Sequence, residues 1–428
     1  MRSGMGTVYD EVIISHSDDE RGSVITVNCP DKTGLGCDLC RIILFFGLSI
    51  VKGDVSTDGK WCYIVFWVVG NEDTRWGLLK KRLLEACPSC SSVSGISYYK
   101  SEVQPPKPSD IFLLTLCCHD RKGLLHDVTR VLCALELTIK KVKVSTTPDG
   151  RVLDLFFVTD TRDLLHTSDR QKDTKSLLRD VIGCELISFT IEMVGPEIAA
   201  CSQDTPFLPA SITEDALSLR ISDDLPNSVS FSTVNCSTGS SLTSQKISLT
   251  MDNWLSPSHT LVQIACQDHK GLLYDVMRTL KDCNIQISYG SFSTKSRGAC
   301  ELDLFIMQAD GKKITDSNKQ KELATRLTRE LQRPLRVAVV SRGPDTELLV
   351  ANPVELSGNG RPLVFHDIAL SLKMLDACVF LAEIRRHMIG DREFEVYRIL
   401  LEDGETLSVS RSKIDEVVWK TLMGWEHC

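Results

Sequence analysis

Three segments of this chain share one ruler, and that ruler restricts the fold more than any other feature. Asp31-Lys32-Thr33-Gly34-Leu35, Asp120-Arg121-Lys122-Gly123-Leu124 and Asp268-His269-Lys270-Gly271-Leu272 each set an Asp three residues before a Gly. A second Asp follows four residues after each Gly, at Asp38, Asp127 and Asp275, and a Ser-Thr pair begins 22 residues after it, at Ser56, Ser145 and Ser293. Unrelated loops have no reason to keep a common spacing over that distance, so one supersecondary unit recurs along the chain.

The pattern within each unit is constant. An apolar run reads as a buried strand: Val24-Ile25-Thr26-Val27, residues 111–116 and Leu261-Val262-Gln263-Ile264. The Asp-x-x-Gly turn follows, with Gly supplying a backbone conformation that other residues resist. Apolar residues three and four apart, as in Leu124, Val128, Val131, Leu132 and Leu135, then predict a helix. A second strand ends in Ser-Thr, and turns at Asp58-Gly59, Asp149-Gly150 and Arg297-Gly298 lead into third strands over 61–69, 152–159 and 299–307. Second helices are expected over 76–86, 174–182 and 319–331, and final strands over 93–99, 186–194 and 335–340. The order is βαββαβ, the ferredoxin-like split βαβ arrangement, an α+β class whose sheet buries one face under helices.

A fourth unit emerges by carrying the ruler forward. Leu363-Val364-Phe365-His366-Asp367-Ile368 aligns with Gly123-Leu124-Leu125-His126-Asp127-Val128, so Leu363 takes the Gly place and Arg385-Arg386 the Ser-Thr place. Its strands are expected over 347–351 and 394–401, with the last strand missing. Divergence of this kind is common in terminal repeats. The expected domains are therefore 22–103, 110–194, 259–341 and 345–428. Between them, 195–258 is rich in Ser and Thr, carries Pro206, Pro209, Pro226 and Pro257, and reads as a linker with one short helix near 213–219. The linker divides the repeats into a first and second pair, with the fourth completing the third.

A net charge of −8 and the absence of a basic stripe argue against nucleic acid as a partner. The longest apolar run, 42–51, is too short to span a membrane, and the acidic N-terminus (Asp10, Glu11, Asp18, Asp19, Glu20) does not suit a signal or transit peptide. The 17 Cys are spread through strand and helix positions and read as thiols of a cytoplasmic or nuclear protein. Cys37-x-x-Cys40 and Cys87-x-x-Cys90 lack a second ligand pair, so no metal is expected. His119-Asp120, His126-Asp127 and His366-Asp367 invite comparison with metal-dependent phosphohydrolases. The first repeat has Pro30-Asp31 and Cys37-Asp38 instead, so His is outside the shared pattern.

Asp-x-x-Gly-Leu at the head of βαββαβ resembles the ACT domain, and four copies in series resemble the plant ACT-domain-repeat family. The stretches 137–141, 153–160, 310–316 and 360–399 carry further likeness to that family's repeats. There is also a resemblance to the sensing region of bacterial uridylyltransferases, which report glutamine status. It implies a non-catalytic regulatory protein, without cofactor, that binds a free amino acid and passes its state to a protein partner. ACT domains pair edge to edge with ligand at the first loops, which implies Asp31, Gly34, Leu35, Asp120, Gly123, Leu124, Asp268, Gly271 and Leu272 as ligand-binding residues.

The loop chemistry suits that reading. A helix N-terminus offers N–H groups and partial positive charge to a carboxylate, Gly allows close approach, and Asp31, Asp120 or Asp268 offers a partner to an ammonium. For each Asp alone, capping of its own helix is the favoured role. The alternative function is a protein-interaction scaffold without small ligand, adding partner strands at sheet edges or forming a homodimer through them. Open or filled first-loop clefts distinguish the two.

Overall fold

The computed structural model describes residues 11–16, 22–70, 73–88, 110–147, 149–162, 164–195, 247–295, 298–342, 345–401 and 409–424. Repeat one supplies β1 (Val12–His16), β2 (Gly22–Pro30), α1 (Leu35–Phe45), β3 (Ser49–Thr57), β4 (Trp61–Val69) and α2 (Trp76–Ala86). Repeat two supplies β5 (Ile111–His119), α3 (Leu124–Ala134), β6 (Leu137–Thr146), β7 (Arg151–Asp160), α4 (Ser168–Ile182) and β8 (Leu186–Met193). Repeat three follows with β9 (Ser248–Asp252), β10 (Thr260–Gln267), α5 (Leu272–Asp282), β11 (Ile285–Thr294), β12 (Ala299–Gln308) and α6 (Ser317–Gln332). Repeat four consists of β13 (Arg336–Arg342), β14 (Asp345–Pro353), α7 (Val364–Met374), β15 (Val379–Ile389), β16 (Arg392–Leu401) and α8 (Arg411–Met423).

The first helix of every repeat starts in the same way. Gly34, Gly123 and Gly271 hold φ of 80°, 75° and 82° at the N-cap, and Leu363 holds φ of 65° in their place. A left-handed residue there turns the strand sharply into the helix, at a cost of roughly 1–2 kcal/mol for Leu363 that Gly avoids. The helix then buries one stripe, as Leu35, Leu39 and Ile43 do in α1, each contributing about 1.5–3 kcal/mol. Thirteen residues after each N-cap the chain turns left-handed again, at Gly47, Glu136, Asn284 and Asp376, which ends the helix and starts the next strand.

Two units form, each an eight-stranded antiparallel sheet with helices on one face. Unit one has the strand order β1-β2-β4-β3-β11-β12-β10-β9, so repeat one pairs with repeat three. Unit two has the order β13-β14-β16-β15-β6-β7-β5-β8, so repeat two pairs with repeat four. The division into a first and second pair, with four completing three, is thus overturned. It rested on neighbours in sequence, whereas the sheets join alternate repeats through β3–β11 and β6–β15. Pairing is within one chain.

The edge strands also differ from expectation. Among the described residues, only repeat two closes with a strand after its second helix, β8 on β5. In repeats one and three a strand preceding the unit takes the same place, β1 on β2 and β9 on β10, and β9 lies inside the stretch read as linker. The segment expected as the last strand of repeat three is β13, which pairs with β14 and completes repeat four. That repeat therefore lacks no strand. The strand expected over 93–99, the helix near 213–219 and the Cys87–Cys90 pair fall wholly or partly outside the described residues.

Each unit has its own core. In unit one, Val27, Ile64, Leu79, Val262 and Leu304 join α1 and α5 under the sheet; in unit two, Leu114, Phe156, Val350 and Ile399 join α3 and α7. In each unit the two first helices pack on each other beside the strand seam. The first loop of one repeat therefore faces the end of the other's first helix.

Candidate functional site

The seam of each unit keeps one register. Val55 lies opposite Gly290 in unit one, and Val144 opposite Ala382 in unit two. Both Val residues lie 21 positions after their repeat's N-cap residue, and Gly290 and Ala382 lie 19 after theirs. The units can therefore be compared atom group by atom group.

Both seams are clamped by the same ion-pair device. Lys281 at the end of α5 reaches Asp38 at 3.1 Å, and Lys32 reaches its other oxygen at 3.0 Å. Lys373 at the end of α7 likewise reaches Asp127 at 3.0 Å, and Arg121 reaches it at 2.7 Å. Burial raises the Asp38 carboxyl, but Lys281 and Lys32 outweigh it and leave it below its ordinary value. Burial also acts on Asp127, yet hydrogen bonds from Lys373, Arg121 and His126 hold it at about 2. These aspartates sit in the first helical turn and are committed to structure.

The space beneath the clamp is what differs. In unit one a cavity of about 390 Å³ opens between the first loop of repeat one and α5 with β11. Asp31, Gly34 and Leu35 line it, with Gly36, Thr57 and Lys281 near the loop and Ile64, Phe66, Leu273, Met277 and Leu304 as apolar wall. The corresponding space in unit two, lined by Asp120, Gly123 and Leu124, is about 40 Å³. At the loop of repeat three, Asp268, Gly271 and Leu272 line about 20 Å³ against Leu44, Leu48 and Tyr274. Leu44 there stands ten residues after Gly34, where repeats three and four have Lys281 and Lys373. The three loops implied by the repeat pattern are therefore unequal, and only the first has room for an amino acid. A recess of about 430 Å³ lined by Asp310, Lys319, Glu322 and Arg326 contains none of the first-loop residues.

Side chains on the seam also differ between the units. Gly53 and Gly290 occupy the positions that Val142 and Ala382 hold in unit two. The missing side chains are partly compensated: Phe66 stands 3.2 Å from where a Gly53 Cβ would be, and Leu304 and Val55 stand 2.7 and 2.9 Å from that of Gly290. Unit two fills the same layer with Val142 at 1% exposure and Ala382 at 0%. It also draws its seam shut, the Thr146 hydroxyl donating to the Val379 carbonyl at 3.1 Å. The equivalent Thr57 donates instead to Asp31, at 2.7 Å.

Capping is not the role of these aspartates. The N-caps are Gly34, Gly123 and Gly271, and none of the three helices has a side-chain cap. The aspartates stand three residues too early, and their N–H groups tie the loop to the hairpin instead: Asp31 to Lys60, Asp120 to Gly150 and Asp268 to Gly298 carbonyls, at 2.9, 2.9 and 2.7 Å. Burial raises the Asp31 carboxyl above its ordinary value despite hydrogen bonds from Thr57 and the Lys32 N–H. Leu35, Leu124 and Leu272 are core residues as well as loop residues, at 2%, 4% and 1% exposure. Gly53, Gly290 and Lys281 escaped the sequence reading. A Gly inside a strand marks close approach, and these two share a spacing of 19 residues from Gly34 and Gly271.

Two of the His-Asp pairs, His126-Asp127 and His366-Asp367, serve the helix interface of unit two, while His119 ends β5. His126 and His366 lie ring to ring at 5.1 Å, and His126 is kept below its ordinary pKa, first by burial. Among the described residues, no group of three or more His, Cys, Asp or Glu is placed to hold a metal ion.

Residues 13–88 match the ACT domain-containing protein ACR10 N-terminal family, 112–175 the ACT domain, 248–345 the ACR9-like ACT-like domain, and 346–424 the ACR9 C-terminal family. ACT domain-containing protein ACR10 of Arabidopsis thaliana is 59% identical over 427 residues, 99% of this chain and 100% of that one. The chain belongs to the ACT domain-containing ACR family. ACR9 of the same plant is 49% identical over 432 residues, covering 98% and 100% of the two chains. The bifunctional uridylyltransferase/uridylyl-removing enzyme of Azospirillum brasilense aligns over 84 residues at 33% identity, 20% of this chain and 9% of that enzyme. ACT domains are regulatory modules of the amino-acid-binding type, and no helix among the described residues is long and apolar enough to cross a membrane.

Proposed function

We propose that this ACR-family chain is a non-catalytic, amino-acid-binding regulatory protein with its working site at the first loop of repeat one. The observation that carries this reading is the open cavity of about 390 Å³ set against closed equivalents at the other loops. The α-ammonium of a bound amino acid would meet the Asp31 carboxyl. Its carboxylate would lie at the N-terminus of α1, where first-turn N–H groups lack intrahelical acceptors. Because the cavity is shared by repeats one and three, ligand would favour the packing of α1 and α5 that encloses it, and a partner reading that packing would sense the ligand.

The test is titration calorimetry of the full chain with each common amino acid, alongside Asp31→Asn. Binding by at least one free amino acid, weakened tenfold or more in Asp31→Asn, supports the reading; no binding at millimolar concentration sinks it. Affinity should also fall as pH drops through the raised Asp31 pKa, because the ionised carboxyl is the form that pairs with an ammonium.

A scaffold role has support in unit two. Its clefts are closed, and β8 and β13 form its outer edges, with Ile187 and Met193 of β8 half or more exposed. A partner strand added to β8 would protect its outward amides from hydrogen exchange.

A further inference from the structure

We infer that the cavity of unit one selects amino acids with large apolar side chains, of the leucine, methionine and phenylalanine class. The inference rests on the amino-acid-binding reading and concerns what lies beyond the loop. One end of the cavity is polar, formed by Asp31, Thr57, the first turn of α1 and the Asp38–Lys281 pair. Away from them the wall is Ile64, Phe66, Leu273, Met277, Leu280 and Leu304. A zwitterion held at the loop therefore sends its side chain among apolar groups, over the strip where Gly53 and Gly290 carry no side chain.

The cavity is also bordered by Asp54, which Lys52 holds at 3.7 Å, and by Gln286 and Ser291 of β11. Cys37 and Cys62 are buried thiols that behave as small hydrophobes, and burial pushes Cys62 up to about 12. Lys32 and Lys281 are both engaged by Asp38 and are not placed to receive an acidic side chain without giving up that pair. A Gln, Asp or Lys side chain would lose its water and find no partner on the apolar wall. Each methylene that fills such a wall is worth about tenfold or more in affinity. Selection should accordingly follow apolar size up to the limit set by Met277 and Phe66.

Melting midpoints of the full chain would be measured with L-leucine, L-methionine, L-phenylalanine, L-glutamine, L-aspartate, L-lysine and glycine. Two variants accompany the wild type: Met277→Ala, which lengthens the cavity, and Asp31→Asn, which removes the ammonium partner. The inference expects shifts from the three apolar amino acids only, at least tenfold tighter than glycine. It also expects Met277→Ala to move preference toward phenylalanine, and Asp31→Asn to weaken all three together. Strongest binding by glutamine, aspartate or lysine, still lost in Asp31→Asn, would overturn the apolar selection while leaving the site in place. An unchanged ranking in Met277→Ala would also overturn it. No shift with any of the seven would remove the amino-acid reading and this inference with it.

Discussion

Unit one and unit two are built on the same seam and use it differently. Each has a Lys from the later repeat and a cation two residues before the N-cap Gly, both gripping one Asp in the first helical turn. Each pairs two second strands in the same register. Yet one seam encloses about 390 Å³ and the other about 40 Å³. Conservation of the clamp in both shows that the ion pairs hold helices together and do not by themselves make a ligand site. The units differ in the layer below them, where Gly53 and Gly290 stand against Val142 and Ala382. Duplicated domains can thus keep their architecture while one seam encloses space and the other is packed.

The comparison can be broken from either side. Emptying the packed seam should have the largest effect: Val142→Gly with Ala382→Gly removes fully buried volume and adds backbone entropy. It should cost about 2–4 kcal/mol, read by urea denaturation. A loss under ~1 kcal/mol would mean that this layer does not hold unit two closed. Filling the open seam is the reverse test. Gly290→Val places a Cβ within 2.7 Å of Leu304 and should cost roughly 1–3 kcal/mol through overpacking while abolishing ligand binding. Intact binding would show that the cavity is not the site.

Asp154 offers a gain of similar size. It is 1% exposed, its Oδ1 has no hydrogen-bond partner, and burial with nearby Asp120 drives its carboxyl well above the ordinary range. Ile64 occupies the matching place opposite Val55 in unit one, as Asp154 does opposite Val144. Asp154→Ile should stabilise unit two by about 1–3 kcal/mol at pH 7. The sign follows from a folded pKa above the unfolded one. The penalty is absent below pH ~3.9 and grows as pH rises through the unfolded value, so the gain should vanish in acid. A pH-independent gain would point to packing alone.

The smallest effect is expected at the clamp itself. Lys373→Met leaves Asp127 with Arg121 and should cost about 1 kcal/mol. Because the Asp127 carboxyl is held at about 2, its contribution is complete above the unfolded value near 3.9 and is lost as pH falls from about 4 to 2. An acid-unfolding midpoint unmoved by Asp127→Asn would remove this clamp from the account.

Much of this organisation was legible in sequence, for physical reasons. The ruler located all four first helices and the left-handed N-cap, even where Leu363 replaces Gly, because a sharp strand-to-helix turn tolerates few alternatives. It placed β4 and α2 at their observed limits, 61–69 and 76–86. Repeat pairing was not legible, because the strands that meet at the seam carry no mark of which copy they meet, and closeness along the chain favoured the wrong partner. The edge strands β1 and β9 are five residues long and lie outside the ruler. Of the expected site residues, Asp31, Gly34 and Leu35 line the open cavity, while those of repeats two and three border only small spaces. The strand glycines that line the open cavity, nineteen residues downstream of Gly34 and Gly271, would have been found by extending the ruler along the second strand.

The central claim is that one seam binds and the other does not. Titration calorimetry of the full chain with its tightest-binding amino acid, repeated in Gly53→Val, tests it most directly. The account predicts one molecule bound per chain and none in the variant; two equivalent sites, or binding unchanged in Gly53→Val, would contradict it.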